Sequence, residues 1–118
     1  MHIEAFYNYC HSLPGVTESF PFGKETLVFK VMGKIFALTD VDRFESINLK
    51  CDPVRSLELR ATYDEIKPGY HMNKKHWNTV SAKGSLEDEF IFELIEHSYD
   101  LVVEKLSQKE RKLLAQQN

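Results

Sequence analysis

At 118 residues the chain has room for one domain with one hydrophobic core, since folding at this size buries roughly two-thirds of the surface an unfolded chain exposes. A composition of 42% hydrophobic, 12% aromatic and 28% charged residues is that of a globular protein, and only the Gln116-Gln117-Asn118 end is expected to lack order. The net charge of −3 argues against coating nucleic acid by bulk electrostatics, and no apolar run is long enough for a membrane span.

Ile3, Phe6, Cys10 and Leu13 fall at helical spacing, and Pro14-Gly15 ends the predicted amphipathic helix. Met1-His2-Ile3-Glu4 does not lead into an apolar run, so no signal peptide is expected. Phe20-Pro21-Phe22-Gly23 makes a rigid apolar stretch that reads as an edge strand with one ring in the core. Thr26–Val31 and Lys34–Thr39 are rich in β-branched and aromatic residues and form a hairpin about Met32-Gly33, where Gly33 accepts a positive φ. Asp42-Arg43 turns the chain into Ser46–Cys51, whose alternation of polar and apolar residues fits a half-buried antiparallel strand.

Asp52-Pro53 marks a helix start, with the Asp52 carboxylate as cap and proline at the first position, and Val54, Leu57 and Ala61 are expected to face the sheet. Ile66–Ala82 returns to strand character, with turn points at Pro68-Gly69 and Asn73-Lys74. Ser85-Leu86-Glu87-Asp88 reads as the N-cap of a long helix carrying Phe90, Leu94, Ile95, Leu101 and Val102, and Ser107-Gln108-Lys109-Glu110 as a capping box for a short last one. The expected fold is α+β in a single domain over 1–118. An antiparallel sheet of about five to six strands is covered by helices on one face, with one N-terminal and two C-terminal helices.

The charge is unevenly spread. Residues 66–83 hold four lysines and no acid, while the flanking segments are both acidic. Cys10 and Cys51 lack any Cys-x-x-Cys spacing, which fits a reduced, cytoplasmic setting, and Cys51 at a strand end is expected to be the more exposed thiol.

Pro14-Gly15 with Phe20-Pro21-Phe22-Gly23, the run Pro68-Gly69-Tyr70-His71-Met72-Asn73-Lys74-Lys75-His76-Trp77-Asn78, and Ser98-Tyr99-Asp100-Leu101-Val102 together resemble the MmcQ/YjbR family. The resemblance spans nearly the whole chain. It implies a compact α+β fold compared both with frataxin and with a double-wing arrangement, and the second comparison implies DNA binding. It supplies no catalytic residues.

The expected function is accordingly a non-enzymatic binding protein that contacts DNA through Lys67, Lys74, Lys75 and Lys83, with Tyr70, His71 and His76 adding contacts. Cations on a shared face meet phosphates and aromatic rings stack on bases. A hairpin tip at Asn73-Lys74 would act as a wing. The alternative is a protein- or small-ligand-binding module with a pocket of Phe22, Trp77 and Asn78. The plainest reading is a solubility device, because strand alternation puts His76, Asn78 and Val80 on one face and Trp77 and Thr79 on the other. His71 and His76 alone do not make a zinc site, and no cofactor or catalytic motif is expected.

Overall fold

The Met32-Gly33 turn, with φ of 50° and 78°, provides the left-handed pair that a tight hairpin requires, and the sheet is built outward from it. In the computed structural model, which describes residues 1–117, that turn joins β2 (Thr26–Val31) to β3 (Lys34–Asp40). Ahead of them lie α1 (Ile3–Ser12) and β1 (Val16–Ser19). After them come β4 (Ser46–Lys50), α2 (Pro53–Thr62), β5 (Ile66–Pro68), β6 (Trp77–Ser81), α3 (Asp88–Glu104) and α4 (Gln108–Ala115). Gln116 caps α4, and Asn118 lies outside the described residues.

The six strands form one open antiparallel sheet in the order β1-β2-β3-β4-β6-β5. The expected class, strand number and helix placement all hold. The helices cover one face, where Phe6, Phe29, Phe36, Ile47, Ile91 and Ile95 are fully buried together. Helix α3 crosses the middle of the sheet. Its Ser98 hydroxyl donates to the Phe36 carbonyl and accepts the Lys50 N–H at 2.8 Å, tying the helix to β3 and β4 through an otherwise apolar layer.

Several local expectations change. Asp52 caps α2 as predicted, accepting from the Val54 and Arg55 N–H groups. The helix is rotated, however: Val54, Leu57 and Ala61 face solvent, and Ser56 and Leu59 are buried. The rotation brings Ser56 and Arg60 onto a buried asparagine of β6, a polar demand that apolar periodicity does not reveal. Phe20-Pro21-Phe22-Gly23 is not a strand. The edge strand is β1, just before it, and both phenylalanine rings are exposed. Ser85 does not cap α3, whose N-cap is Glu87, because the Ser85 hydroxyl instead bonds the Glu65 carboxylate. Cys51 is buried like Cys10. The Ser107–Glu110 capping box forms as predicted.

Two predictions follow from the helix layer. Ser98→Ala leaves the buried Lys50 N–H without an acceptor and should destabilise the fold by about 1–3 kcal/mol, read in urea denaturation. His97 accepts the Asp52 N–H on its Nε2 at 3.2 Å, and burial, helped by Arg55, holds its pKa below the ordinary value. From about pH 6.5 downward the unfolded chain therefore binds a proton that the folded chain refuses, so stability falls as pH drops through this window. The melting temperature should be a few degrees lower at about pH 5.5 than at about pH 7.5, and His97→Gln should flatten the dependence. The raised pKa of Asp100 acts in the opposite sense and at lower pH, in the carboxylate range.

Candidate functional site

Across the sheet face opposite the helices runs a row of aligned residues. Ser19 pairs with Val28, Val28 with Leu38, Leu38 with Asn48, Asn48 with Thr79, and Thr79 with Lys67. This face is apolar only at its centre, where Val28, Leu38 and Trp77 pack together with Ile35 and Met72. Trp77 belongs here, and Lys50, its cross-strand partner, holds its ammonium 5.7 Å from the ring centre.

Between β5 and β6 the segment 69–76 folds over part of the open face instead of forming a tight hairpin with Asn73-Lys74 at its tip. Its closure depends on particular residues. Gly69 donates to the Trp77 carbonyl at 2.8 Å, and a Cβ on Gly69 would lie 2.7 Å from the Trp77 Cβ. The Asn73 side chain accepts the Lys75 N–H, and its carbonyl accepts the N–H groups of His76 and Trp77. From the helix side, Arg60 reaches through. Its Nε donates to Asn78 Oδ1 at 2.7 Å, and its guanidinium also donates to the Lys74 and Trp77 carbonyls. The Ser56 hydroxyl completes the shell of Asn78 at 2.8 Å.

The folded segment walls a cleft of about 590 Å³. Tyr70, His71 and Met72 form one side, Phe22 the other, and Leu38, Asn48, Thr79, Thr26 and Asp40 contribute to the floor and far rim. Tyr70 and Phe22 are 70% and 66% exposed, so two aromatic faces stand open to a ligand. The rings of Tyr70 and His71 lie 4.0 Å apart, and His71 holds a left-handed φ of 58°, which is costly for a residue with a side chain. On the floor, the Thr79 hydroxyl accepts the Tyr70 N–H at 2.9 Å and donates to Asn48 Oδ1 at 2.6 Å. That fixes the Asn48 amide with its Nδ2 donors unused by other described residues. Asp40 Oδ1 is occupied by the Asp42 and Arg43 N–H groups.

The expected site residues therefore divide. Phe22, Tyr70 and His71 line the cleft, but Trp77 lies under Met72 and Asn78 faces the helices, so the predicted Phe22, Trp77 and Asn78 pocket is not the one that forms. Sequence reading missed Asn48, Thr79 and Met72, although the alternation of β4 already sends Asn48 and Lys50 away from the core. The lysines do not gather. Lys74 bonds back to the Gly69 carbonyl at 3.3 Å, and Lys75 is exposed nearby. Lys67 shares a surface hollow with Glu45, Asp64 and Glu65. Lys83 follows the far end of β6, a strand about 15 Å long. His76 faces a different groove, with Lys50 and Lys105.

Among the described residues no three His, Cys, Asp or Glu side chains come together as a metal-binding group, and His71 and His76 face different hollows. Burial raises the pKa of both thiols, leaving Cys10 and Cys51 as inert core groups.

A family model described as YjbR matches residues 11–101. The chain is 34% identical over 117 residues to YjbR of Escherichia coli (strain K12), covering 98% of this chain and 99% of that one. It is 46% identical over 101 residues to YbdF of Escherichia coli O157:H7, covering 85% and 83% of the two chains. A crystal structure of a Deinococcus radiodurans protein superposes with a TM-score of 0.89 at 43% identity, covering 96% of this chain and 87% of that one. A Pseudomonas syringae crystal structure gives 0.74 at 31% identity, over 86% and 98%.

Removing the guanidinium should loosen the cleft wall while leaving the sheet folded. Arg60→Met is expected to cost about 1–3 kcal/mol and to speed amide exchange in residues 69–76 more than in β2 or β3. Uniform acceleration across the sheet would show that Arg60 does not act on the segment selectively.

Proposed function

The chain belongs to the YjbR family, and from the cleft walled by that family's signature run we propose a non-enzymatic, cytoplasmic binding protein for a planar, partly polar ligand. The observation that carries this reading is the pairing of two exposed aromatic rings, Phe22 and Tyr70, across a floor that presents the unused Asn48 amide donors. A volume of about 590 Å³ lies within the range of small-molecule sites. Stacking on an aromatic ring contributes about 0.5–1.5 kcal/mol beyond area burial, and the amide adds direction.

The second reading is DNA binding through Lys67, Lys74, Lys75 and Lys83 with Tyr70, His71 and His76. It draws support from the four lysines and absent acids of residues 66–83, and from Tyr70, His71 and Lys75 being exposed on one segment. The separation of Lys67 and Lys83 from Lys74 and Lys75 favours the cleft. The double-wing comparison belongs to this second reading, and the frataxin comparison concerns the fold alone.

Amide and methyl NMR shifts distinguish the two. With adenosine or indole as probes, the shifts should centre on Asn48, Thr79 and Met72. Phe22→Ala with Tyr70→Ala should weaken binding at least about tenfold without changing the melting temperature, because both rings are exposed. If duplex DNA instead moves Lys74, Lys75 and His76, with affinity collapsing as salt rises and lost in Lys74→Glu with Lys75→Glu, the second reading stands. If neither probe class moves the cleft residues, the ligand-binding proposal fails.

A further inference from the structure

A second concave feature lies at the end of β4, outside the cleft. Lys50, Lys105 and His76 line a groove of about 150 Å³ whose remaining wall is Cys51, Asp52, Pro53 and Leu101. Three elements supply the basic groups. Lys50 ends β4, His76 precedes β6, and Lys105 caps the C-terminus of α3. Lys34, at the start of β3, lies close enough to act on Lys50 electrostatically.

Among the described residues these cations form no ion pair. The ion pairs among the described residues involve the N-terminus with Asp88, His11 with Glu18, and Arg55 with Glu93, and none uses Lys34, Lys50 or Lys105. The carboxylate in the groove, Asp52, is occupied at Oδ2 by the Val54 and Arg55 N–H groups. Glu110, which acts on Lys34, is held in the capping box with Ser107. The α2 N-terminus contributes little, because Pro53 has no N–H and the next two donors serve Asp52. Burial, then repulsion from Lys105 and Lys34, lowers the pKa of Lys50, as expected of ammonium groups brought together without an ion-pair partner.

We propose that Lys50, Lys105 and His76 form a subsite for a phosphate group. A phosphate monoester, with a charge of about −1.5 to −2 and three terminal oxygens, matches several basic groups lining one groove, whereas a single carboxylate would leave part of the charge uncompensated. Two sources share this chemistry: a free phosphate monoester, and the terminal phosphate of a nucleic-acid strand. The subsite does not depend on the cleft. None of its residues lines that cavity, and of the residues expected to contact DNA only His76 takes part.

Trp77 is the sole tryptophan and lies under the Lys50 ammonium, so an anion that draws Lys50 away from the ring changes its fluorescence. Titrations of the intact protein with inorganic pyrophosphate and with a short 5′-phosphorylated oligothymidylate should give a saturable change. Calorimetry should read the affinity independently of the Trp77 environment. Lys50→Gln with Lys105→Gln should weaken binding about tenfold or more. Lys74→Gln with Lys75→Gln and Phe22→Ala should leave it unchanged, which separates this site from both readings of the proposed function. Binding of pyrophosphate identifies a free phosphate group as sufficient, and binding of the oligonucleotide alone identifies the terminal phosphate of a strand. The proposal is overturned if neither binds, if sodium chloride at equal ionic strength produces the same change, or if the Lys50 and Lys105 substitutions leave the affinity intact.

Discussion

One buried side chain, Asn78, sets the conditions that the segment 69–76 has to meet. It is 2% exposed, on the helix side of β6, and its carbonyl oxygen would be a costly orphan without donors. Ser56 and Arg60, one turn apart on α2, supply them. To do so α2 must turn Ser56 and Leu59 inward, which pushes Val54 and Leu57 into solvent. The same guanidinium then has donors left for the Lys74 and Trp77 carbonyls. A single polar requirement in the core thus fixes the rotation of a helix, the course of a surface segment and the position of the cleft wall.

The two faces of the sheet divide the chemistry. The helix-covered face is dry apart from a few satisfied polar groups, of which Ser98 is the one that links layers. The open face is wet at its margins and apolar only around Trp77, and that small cluster seats Met72, giving the segment 69–76 something to fold against. Trp77 and Asn78 are adjacent in the chain but serve opposite faces: the ring supports the segment from below, the amide recruits the arginine that ties it from behind. His71 keeps its left-handed backbone because the anchors on either side, Gly69 and Asn73, leave the intervening residues little choice.

Much of the fold is legible in the sequence because it is written in local chemistry. The Met32-Gly33 turn, the Asp52-Pro53 start and the Ser107–Glu110 box depend on residues within a few positions of one another, and each forms as read. What fails to show is what depends on distant partners. Ser85 has the composition of a cap but meets Glu65 across the fold. Val54 and Leu57 have the right spacing for a core face yet lose it to the demands of Asn78. For the site, Phe22, Tyr70 and His71 stand out as residue types, while Asn48 and Thr79 look like ordinary strand residues until their pairing aligns them. The local charge of residues 66–83 is visible at once, but its division between the two ends of β6 follows from the strand's length and direction.

The strand order carries a kinetic meaning. Strands β1 to β4 pair as neighbours in sequence, and such short-range contacts need little loop closure. Strand β6 reaches β4 only after α2 and β5 have been passed over, and β5 then closes on its outer edge with three residues. The cleft spans this divide, with Phe22 in the early meander and Tyr70–Met72 in the late-docking pair. Strand order therefore predicts that the cleft is completed late in folding and that its wall is among the first parts of the sheet released by local unfolding. A ligand seated there would bind the two halves together, drawing its own binding energy into the cohesion of the sheet.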